Sequence, residues 1–400
     1  MNYMEVKPTI ETFAKIKVVG VGGSGGSAIN WMMKRGIKGV DFIAANTDAQ
    51  ALYRSLASVK LHIGKSTTRG LGAGMDPMQG QKAAEENQNE IREALMGADM
   101  VFVTCGLGGG TGTGASPVIA QIARDIGALT VAVVTKPFGF EGAQRRNIAE
   151  RGFTELAENV DTIITIPNDR ILQIIDKKTS LLDAFSVVND VLRQGVQGIS
   201  ELIVVPGLIN VDFADVKAIM KDAGSALMGI GEAHGENRAL EAAKQAIASP
   251  LLDVSIDGAR GLLFIVTGGE DMTMHEVSEA AKLITEQGDH DAKIIFGTVL
   301  NEELADTIRI TVIATGFDNQ ARAIASTESA SQTSSLYTPN SFLQSTGTGE
   351  PKKSMNGSAR TPSNKSTPTQ APASTSSTLK TTQEEELEIP AFIRKKMGGK

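Results

Sequence analysis

The chain has 400 residues, of which 41% are hydrophobic but only 4% aromatic, and its formal net charge is −7. This length is sufficient for two domains, and the acidic balance argues against a general nucleic-acid-binding protein. Cys105 is the only cysteine, so no intramolecular disulfide is expected, and the four scattered histidines do not predict a zinc site. The N-terminus does not resemble a signal peptide, and no stretch is apolar enough to predict a membrane span.

Apolar runs predict six strands in the first 170 residues. They lie at residues 16–21, 40–45, 61–63, 99–105, 130–135 and 162–167. Helical patterns follow most of them, through residue 35, over 80–96, over 115–126 and after residue 142. Strands that alternate with helices at this spacing indicate a Rossmann-like, doubly wound parallel sheet.

Two of the predicted strand-to-helix turns are rich in glycine. In the first, Gly20, Gly22 and Gly25 fit the G-x-G-x-x-G pattern of dinucleotide-binding turns, which is a weak signal by itself. The second, residues 106–114, reads GLGGGTGTG and has no following Gly-Lys-Ser/Thr, so it is not a Walker A motif. Such a turn permits positive φ and close approach to a ligand, and the N-terminus of the following helix favours an anion. We expect a di- or triphosphate here rather than a flexible loop without a ligand.

Polar residues follow other predicted strands of the same sheet. Asn46 comes after the second strand, Glu141 after the fifth and Asn168 after the sixth. Ligands of doubly wound sheets bind at the carboxyl ends of the strands. We therefore expect these side chains and both glycine-rich turns to converge at one edge.

The second half of the chain predicts a smaller α/β domain without a glycine-rich turn of its own. A long central helix over about 180–202 separates it from the first half. Four strands follow, with helices over 236–248 and 273–287; the strands lie at 226–230, 261–266, 293–297 and 308–313.

The composition changes at Asn319. Residues 319–383 are rich in Ser, Thr, Asn, Gln, Pro and Gly and have few large apolar residues, which predicts a disordered linker. As a coil, these residues would span roughly 45 Å. Residues 384–396 run from acidic through apolar to basic, which predicts a short docking motif, although an unstructured end is the alternative.

The GGGTGTG sequence resembles the signature of the tubulin and FtsZ superfamily of GTPases. From about residue 16 to residue 317, and again at its C-terminal end, the chain is similar to the FtsZ family of bacterial cell-division GTPases. The resemblance implies GTP or GDP as the ligand, with Mg²⁺ accompanying the nucleotide. The implied organisation is an N-terminal arm, a GTP-binding domain, a central helix, an activation domain, a linker and a docking peptide, at residues 1–14, 15–179, 180–204, 205–318, 319–383 and 384–400.

The resemblance also assigns nucleotide contacts to particular residues. Those residues are Gly22, Gly23, Ser24, Gly25, Gly26, Ser27, Asn46, Gly106, Gly109, Gly110, Thr111, Gly112, Thr113, Glu141, Arg145, Asn168, Phe185 and Asn189. Among them, Arg145 would meet phosphate and Glu141 the ribose. Phe185 would stack on the base, and Asn189, one helical turn later, would recognise guanine with help from Asn168.

Three of these positions differ from the residue that is usual in the family. Ser24 and Ser27 stand where relatives usually have glycine and asparagine, and Asn189 stands where many have aspartate. An amide can still accept from the guanine ring, but without a charge the contact is weaker.

Asn210, Asp212 and Asp215 form a second candidate site. The spacing of Asp212 and Asp215 allows both carboxylates to share one face of a helix start, although Asp212 could instead simply cap that helix. The resemblance implies that this loop enters the nucleotide site of the next subunit, where the carboxylates orient water and help to hold a cation. Hydrolysis would then require a head-to-tail homopolymer, which does not close.

The resemblance at the C-terminus covers the residues of the predicted docking motif, Ile389, Pro390, Phe392, Ile393 and Arg394. It implies that membrane-tethering and regulatory division proteins bind there. The expected location is the cytoplasm, at the midcell division site on the inner face of the membrane, with no nucleic-acid partner.

Two alternatives remain open from the sequence. An NAD(P) oxidoreductase would explain the first glycine-rich turn but neither the second turn nor the 210–215 loop. A filament protein that binds nucleotide but barely hydrolyses it would explain both turns.

Overall fold

A computed structural model of the protein describes residues 14–317, apart from 174, 177, 205–208, 210, 253–254 and 302–303. Ten strands form one sheet in the order β3-β2-β1-β4-β5-β6-β7-β10-β8-β9. They are β1 (Ile16–Val21), β2 (Val40–Asn46), β3 (Val59–His62), β4 (Met100–Gly106), β5 (Leu129–Lys136), β6 (Thr162–Pro167), β7 (Gly224–His234), β8 (Gly261–Gly268), β9 (Lys293–Leu300) and β10 (Thr307–Thr315). Neighbouring strands are parallel except around β10, which is antiparallel to both β7 and β8.

Helices connect most of these strands. They are α1 (Gly22–Lys34), α2 (Ala49–Tyr53), α3 (Lys65–Thr68), α4 (Pro77–Glu86), α5 (Gln88–Leu95), α6 (Thr111–Asp125), α7 (Ala143–Glu158), α8 (Asn168–Ile171), α9 (Leu181–Val204), α10 (Phe213–Met220), α11 (Arg238–Ile247) and α12 (Met274–Thr285). A 3₁₀ turn, Gly139–Glu141, precedes α7. No helix among residues 14–317, as far as they are described, is long and apolar enough to cross a membrane.

The single helix predicted over 80–96 is wrong, because two helices meet at Asn87. The backbone of Asn87 leaves the helical region, with φ −115° and ψ 26°. Its side-chain Oδ1 accepts a hydrogen bond from the N–H of Gly64 at 2.8 Å. This break ties the α4–α5 junction to the start of α3, a long-range contact that the polar pattern of the segment does not show.

The central strands of the first half of the sheet, β1, β4 and β5, are buried on both faces, as a doubly wound sheet requires, whereas the edge strand β3 is partly exposed. In β4, Met100 and Phe102 belong to one apolar cluster, while Val101, Val103 and Cys105 belong to the cluster on the opposite face. Burial also raises the pKa of the Cys105 thiol to about 12, which makes it an inert core residue. The predicted α/β fold class is confirmed.

The long central helix, α9, packs against strands from both halves of the sheet. It has 24 residues and is therefore about 36 Å long. A Cβ at Gly195 would lie 3.1 Å from Met228 Sδ on β7, and one at Gly198 would lie 3.0 Å from Ile265 Cδ1 on β8. These two glycines let the helix lie close to the strands, where larger residues would force it away.

Direct pairing between the two halves of the sheet is short. Only residues 162–164 of β6 pair with residues 224–226 of β7, whereas β10 pairs with β7 along its whole length. The four strands predicted for the second half correspond to β7, β8, β9 and β10. The second α/β unit therefore continues the first sheet at its edge rather than forming a separate layer.

Candidate functional site

A cavity of about 610 Å³ lies where β1, β2, β4, β5 and β6 end. Most of the residues predicted to contact nucleotide line it. They are Gly23, Ser24, Asn46, Gly106, Gly109, Gly110, Thr111, Gly112, Glu141, Arg145, Asn168 and Phe185. The expected convergence at the carboxyl edge of the sheet is therefore present in the structure.

The first glycine-rich turn contacts the second at Gly22. Gly22 has φ +74°, and a Cβ there would lie 3.0 Å from the backbone nitrogen of Gly112. A Cβ on Gly25 would overlap the carbonyl oxygen of Thr104, so Gly25 allows α1 to pack closely on β4. Neither Gly22 nor Gly25 lines the cavity. The backbone of the turn requires a glycine at position 22, and close packing of α1 on β4 requires one at position 25.

Two further residues of the first turn, Gly26 and Ser27, also lie outside the cavity lining. A Cβ on Gly26 would have no neighbour within 4 Å. The hydroxyl of Ser27 donates to the carbonyl oxygen of Gly23 at 3.0 Å, within α1. Both residues therefore belong to the helix behind the turn.

The second turn is held in shape by Thr113. Gly108 has φ +96°, and its N–H donates to Thr113 Oγ1 at 2.9 Å. Thr113 is buried and does not line the cavity. Its hydroxyl oxygen fixes the backbone of the turn, so the hydrogen-bond partner of Thr113 in the structure is the turn itself.

Gly110 and Gly109 of the second turn have different surroundings. Gly110 has φ −77°, so a positive φ is not the reason why this position is a glycine. A Cβ there would lie 2.9 Å from both Ala73 Cβ and the Asp76 nitrogen, which means that glycine admits the neighbouring 72–76 segment. A Cβ on Gly109, in contrast, would have no neighbour within 4 Å.

The cavity is suited to an anion because α6 begins at its wall. Thr111 and Gly112 are the first two residues of this helix, and both line the cavity. N–H groups in the first turn of a helix lack partners from within the helix, and the helix dipole favours negative charge at this end. Phosphate groups have the charge and the acceptor atoms that this arrangement can bind.

The charged residues of the cavity wall are already partly engaged. Arg145 Nη1 donates to Glu141 Oε2 at 2.6 Å, and Glu141 Oε1 accepts from the N–H of Phe138 at 2.9 Å. Asp48, another wall residue, caps α2 by accepting from the N–H groups of Gln50 and Ala51. The two acidic side chains in the described cavity wall are thus both committed to local structure.

Asn168, in contrast to these charged residues, has a buried side-chain oxygen without a hydrogen-bond partner. Its side chain is only 7% exposed, and its Oδ1 has no hydrogen-bond partner. An unpartnered buried acceptor is costly, so a donor supplied by a ligand would stabilise this position. The base of a nucleotide carries such donors.

An aromatic ring completes the wall at the start of α9. Phe185 is 43% exposed, and its ring meets that of Phe138 edge-on at a centroid distance of 5.8 Å. A ring that is fixed on one side and open on the other can stack on a base. Asn189, one turn further along α9, is half-buried and does not line the cavity.

Several wall residues are additional to those predicted. They are Val21, Asp48, Ala51, Gly72, Ala73, Gly74, Met75, Leu107, Thr135 and Pro137. Residues 72–75 lie between α3 and α4 and belong to neither of the two predicted glycine-rich turns. Asp48 lies two residues after Asn46, so its position just after a strand end is a signal available in the sequence.

The predicted acidic pair lies away from the cavity. Asp212 and Asp215 are exposed and absent from its wall. Asp212 occupies the N-cap position of α10, but its side chain makes no capping hydrogen bond, so the alternative role as a helix cap is wrong. At its other end α10 reaches the start of β6, where the Thr162 hydroxyl donates to the carbonyl oxygen of Met220. Asn210 lies outside the described residues.

The remaining predicted residues lie outside the described part of the chain as well. They are Ile389, Pro390, Phe392, Ile393 and Arg394. Within the described residues, no group of three or more His, Cys, Asp or Glu side chains could hold a metal ion.

Comparison with known proteins identifies two family domains in the chain. The Tubulin/FtsZ family GTPase domain matches residues 15–176, and the FtsZ family C-terminal domain matches residues 224–318. The first of these matches is inconsistent with the NAD(P) oxidoreductase alternative.

Solved structures give the same assignment. An empty FtsZ dimer from M. jannaschii is 50% identical, covering 76% of this chain and 88% of that chain, with a TM-score of 0.73. A point mutant of FtsZ from the same organism is 49% identical, covering 77% and 92%, with a TM-score of 0.74. CetZ2 from Haloferax volcanii, in a GTPγS-bound protofilament, is 21% identical over 80% of this chain and 100% of that chain. Its TM-score of 0.65 indicates likeness of fold alone.

Proposed function

The chain belongs to the FtsZ family of tubulin-like GTPases, and we propose that it polymerises head to tail when it binds GTP and hydrolyses that GTP between neighbouring subunits. The observation that carries the proposal is the separation of two sets of residues. The cavity wall has the features of a nucleotide site, while Asp212 and Asp215 are exposed elsewhere on the same chain.

The nucleotide lies in the cavity with its phosphates against the two glycine-rich turns. The N-terminus of α6 and the guanidinium of Arg145 face the negative charge. Phe185 stacks on the base, Asn168 accepts from it and Glu141 meets the ribose. Asn189 lies next to this group and approaches the base when the nucleotide is bound. Mg²⁺ binds with the nucleotide, mainly through phosphate oxygens.

In the described cavity wall, both carboxylates already accept hydrogen bonds from neighbouring groups. Asp48 is used as a helix cap, and Glu141 is bonded to Arg145 and to the Phe138 backbone. Phosphoryl transfer depends mainly on positioning and electrostatics, so two correctly placed carboxylates can supply the function of positioning water. Asp212 and Asp215, together with Asn210, are the residues that we assign to this role.

These carboxylates reach a nucleotide only in another subunit. Along α9, Phe185 at the cavity and Val204 are separated by about 28 Å. Val204 lies beside Gly39, just before β2 begins, so the helix leads the chain away from the carboxyl ends of the strands. A neighbour stacked head to tail brings its 210–215 loop to the cavity, and such a contact repeats without closing.

The rim of the cavity is apolar enough to be an interface. Five large apolar side chains outside the wall are exposed and lie within three residues, along the sequence, of a wall residue; they are Tyr53, Leu71, Met78, Phe140 and Leu182. Tyr53 and Leu71 are each 86% exposed. Apolar side chains grouped at a polar cleft are typical of a surface that another protein covers. A second copy of the chain is the partner that this proposal assigns to it.

In the cell, we assign the filament to the bacterial division ring, in the cytoplasm on the inner face of the membrane at midcell. The organisation given above for residues 1–14, 15–179, 180–204, 205–318, 319–383 and 384–400 is part of the proposal. The apolar residues of the 384–400 segment dock membrane-tethering and regulatory division proteins. Removing residues 384–400 should leave GTP hydrolysis and filaments intact, and a truncated protein that cannot assemble would contradict this assignment.

Light scattering and phosphate release after GTP addition, over a range of protein concentrations, test the proposal. Because the active site is shared, both signals should appear above the same threshold concentration. Hydrolysis per subunit that is constant down to the lowest concentration, with no scattering, would contradict shared-site hydrolysis. Scattering without phosphate release would instead support the filament that binds nucleotide but barely hydrolyses it.

A further inference from the structure

Thr47 is buried behind the cavity wall, between two residues that form it. It is 0% exposed, while its neighbours Asn46 and Asp48 both line the cavity. Its Oγ1 lies 2.6 Å from Oγ1 of Thr111, the wall residue at which α6 begins. Thr47 therefore contacts the proposed phosphate site only through the side chain of Thr111, without reaching the cavity itself.

The direction of this hydrogen bond follows from burial. Two hydroxyls at this distance share one hydrogen bond, so one of them must donate. The hydrogen-bond partner of the Thr47 hydroxyl is Thr111, and a buried hydroxyl that donates to nothing is unfavourable. Thr47 consequently donates, Thr111 Oγ1 accepts, and the hydrogen of the Thr111 hydroxyl is left for a ligand. Phosphate oxygens only accept hydrogen bonds, so this polarity matches them.

The backbone of Thr47 also connects it to the chain that leads to the 72–75 segment of the cavity wall. Its carbonyl oxygen accepts from Thr68 Oγ1 at 3.3 Å, and the same hydroxyl contacts the Gly64 carbonyl oxygen at 3.0 Å. Thr68 is the last residue of α3, and the chain continues from it into the 72–75 segment of the cavity wall. Thr47 thus joins the end of β2 to both the α6 turn and the start of this segment.

We propose that Thr47 is a positioning residue for nucleotide recognition, which holds Thr111 as a hydrogen-bond donor to the polyphosphate. The inference rests on the proposed binding of guanine nucleotide in this cavity and adds a specificity determinant to it. Thr47 acts through Thr111 and does not touch the nucleotide.

Calorimetric titration with GDP, at protein concentrations below assembly, tests this role with two variants. Thr47→Val keeps the shape of the side chain but removes the hydroxyl, and it should weaken GDP binding at least about tenfold, as expected for one hydrogen bond to a charged acceptor. Thr47→Ser keeps the donor and should remain within about threefold of the native affinity. If Thr47→Val does not fold, Thr47→Ala removes the same hydroxyl.

Further measurements separate positioning from a general structural effect. Guanosine, which has no phosphate, should bind Thr47→Val and the native protein equally. The double variant Thr47→Val, Thr111→Val should bind GDP no more weakly than Thr111→Val alone, because both changes remove the same contact. Thr130→Val is the matched control, since Thr130 is buried, donates to the Ala128 carbonyl oxygen and lies outside the cavity wall.

Three results would overturn the inference: native GDP affinity in Thr47→Val, an equal loss of guanosine binding, or additive losses in the double variant. Failure of the native protein to bind GDP would instead refute the proposed nucleotide site, so the two failures can be distinguished.

Discussion

Arg145 Nη1 donates to Glu141 Oε2 at 2.6 Å, one helical turn away along the chain. Arg145 is the cationic residue of the described cavity wall, so its charge is shared with a carboxylate before any nucleotide enters. A guanidinium has five N–H donors and can serve a phosphate and Glu141 together. The pair therefore holds the arginine at the wall without preventing it from binding an anion.

Replacing this arginine should weaken nucleotide binding. Arg145→Gln removes the cation from the wall, and we expect GDP affinity to fall by about tenfold to a hundredfold at low salt. Because Arg145 is substantially exposed, the difference should shrink as ionic strength rises. Titration calorimetry at two salt concentrations measures both effects. Arg146→Gln on the same helix, outside this cavity, is the control, and native affinity in Arg145→Gln would remove Arg145 from the site.

Replacing Asn168 should change ligand affinity and protein stability in different directions. Because its Oδ1 is buried without a partner, Asn168→Ala removes an unfavourable group from the ligand-free protein. We expect an unchanged or higher melting temperature without nucleotide, together with about tenfold weaker GDP binding. Thermal melts with and without GDP measure both quantities. A variant that melts lower but binds GDP normally would show that Asn168 is structural only.

Glu86 should make α3 sensitive to acid. Its carboxylate accepts from the Ser66 and Thr67 N–H groups at 2.9 and 3.2 Å, and these hydrogen bonds lower its pKa to about 2 from 4.5. Because the folded-state pKa is depressed, its stabilising contribution is present above about pH 4.5 and is lost as the pH falls towards 2. Glu86→Gln should therefore be less stable than the native protein at pH 7, and the difference should vanish near pH 2.

Hydrogen exchange provides the local measurement for Glu86. Protection of the Ser66 and Thr67 amides should fall in Glu86→Gln at neutral pH, while amides in the middle of β4 keep theirs. Equal protection of both amides in the two proteins would mean that this carboxylate does not hold α3.

Much of the fold and of the cavity follows from local sequence patterns. Buried strands such as β4 are continuous apolar runs, and their ends carry the glycines and polar residues that meet at the cavity. The rule that parallel strands present ligands at their carboxyl edge is enough to bring Asn46, Glu141 and Asn168 together.

The remaining features depend on contacts between distant residues. Gly25 fits the dinucleotide pattern, yet its glycine is required by the Thr104 carbonyl on a neighbouring strand. The break at Asn87 depends on Gly64, and Thr113 packs against Gly152, where a Cβ would overlap the Thr113 methyl group. Local periodicity contains no record of such pairings, so the sequence indicates neither that Gly25 and Thr113 lie outside the cavity wall nor that the 80–96 segment breaks at Asn87.

The central claim, a site shared between subunits, can be tested with two inactive variants. Asp212→Ala leaves the cavity wall untouched and should bind GTP, but its hydrolysis should fall about a hundredfold, or about 3 kcal/mol of barrier. Gly109→Asp should fold, because its side chain enters open space and its φ is not positive. It places a negative charge among the phosphate-binding turns and should abolish GTP binding, whereas Gly109→Ala should not.

Phosphate release from a mixture of Asp212→Ala and Gly109→Asp is the most direct measurement. In mixed filaments, the intact Asp212 and Asp215 of a Gly109→Asp subunit face the GTP of an Asp212→Ala neighbour, so hydrolysis should return, up to about a quarter of the native rate for random head-to-tail mixing. As a control, a mixture of Asp212→Ala with the double variant Gly109→Asp, Asp212→Ala should show no such gain in hydrolysis. A mixture that co-sediments as filaments yet stays as inactive as its separate components would contradict the shared site.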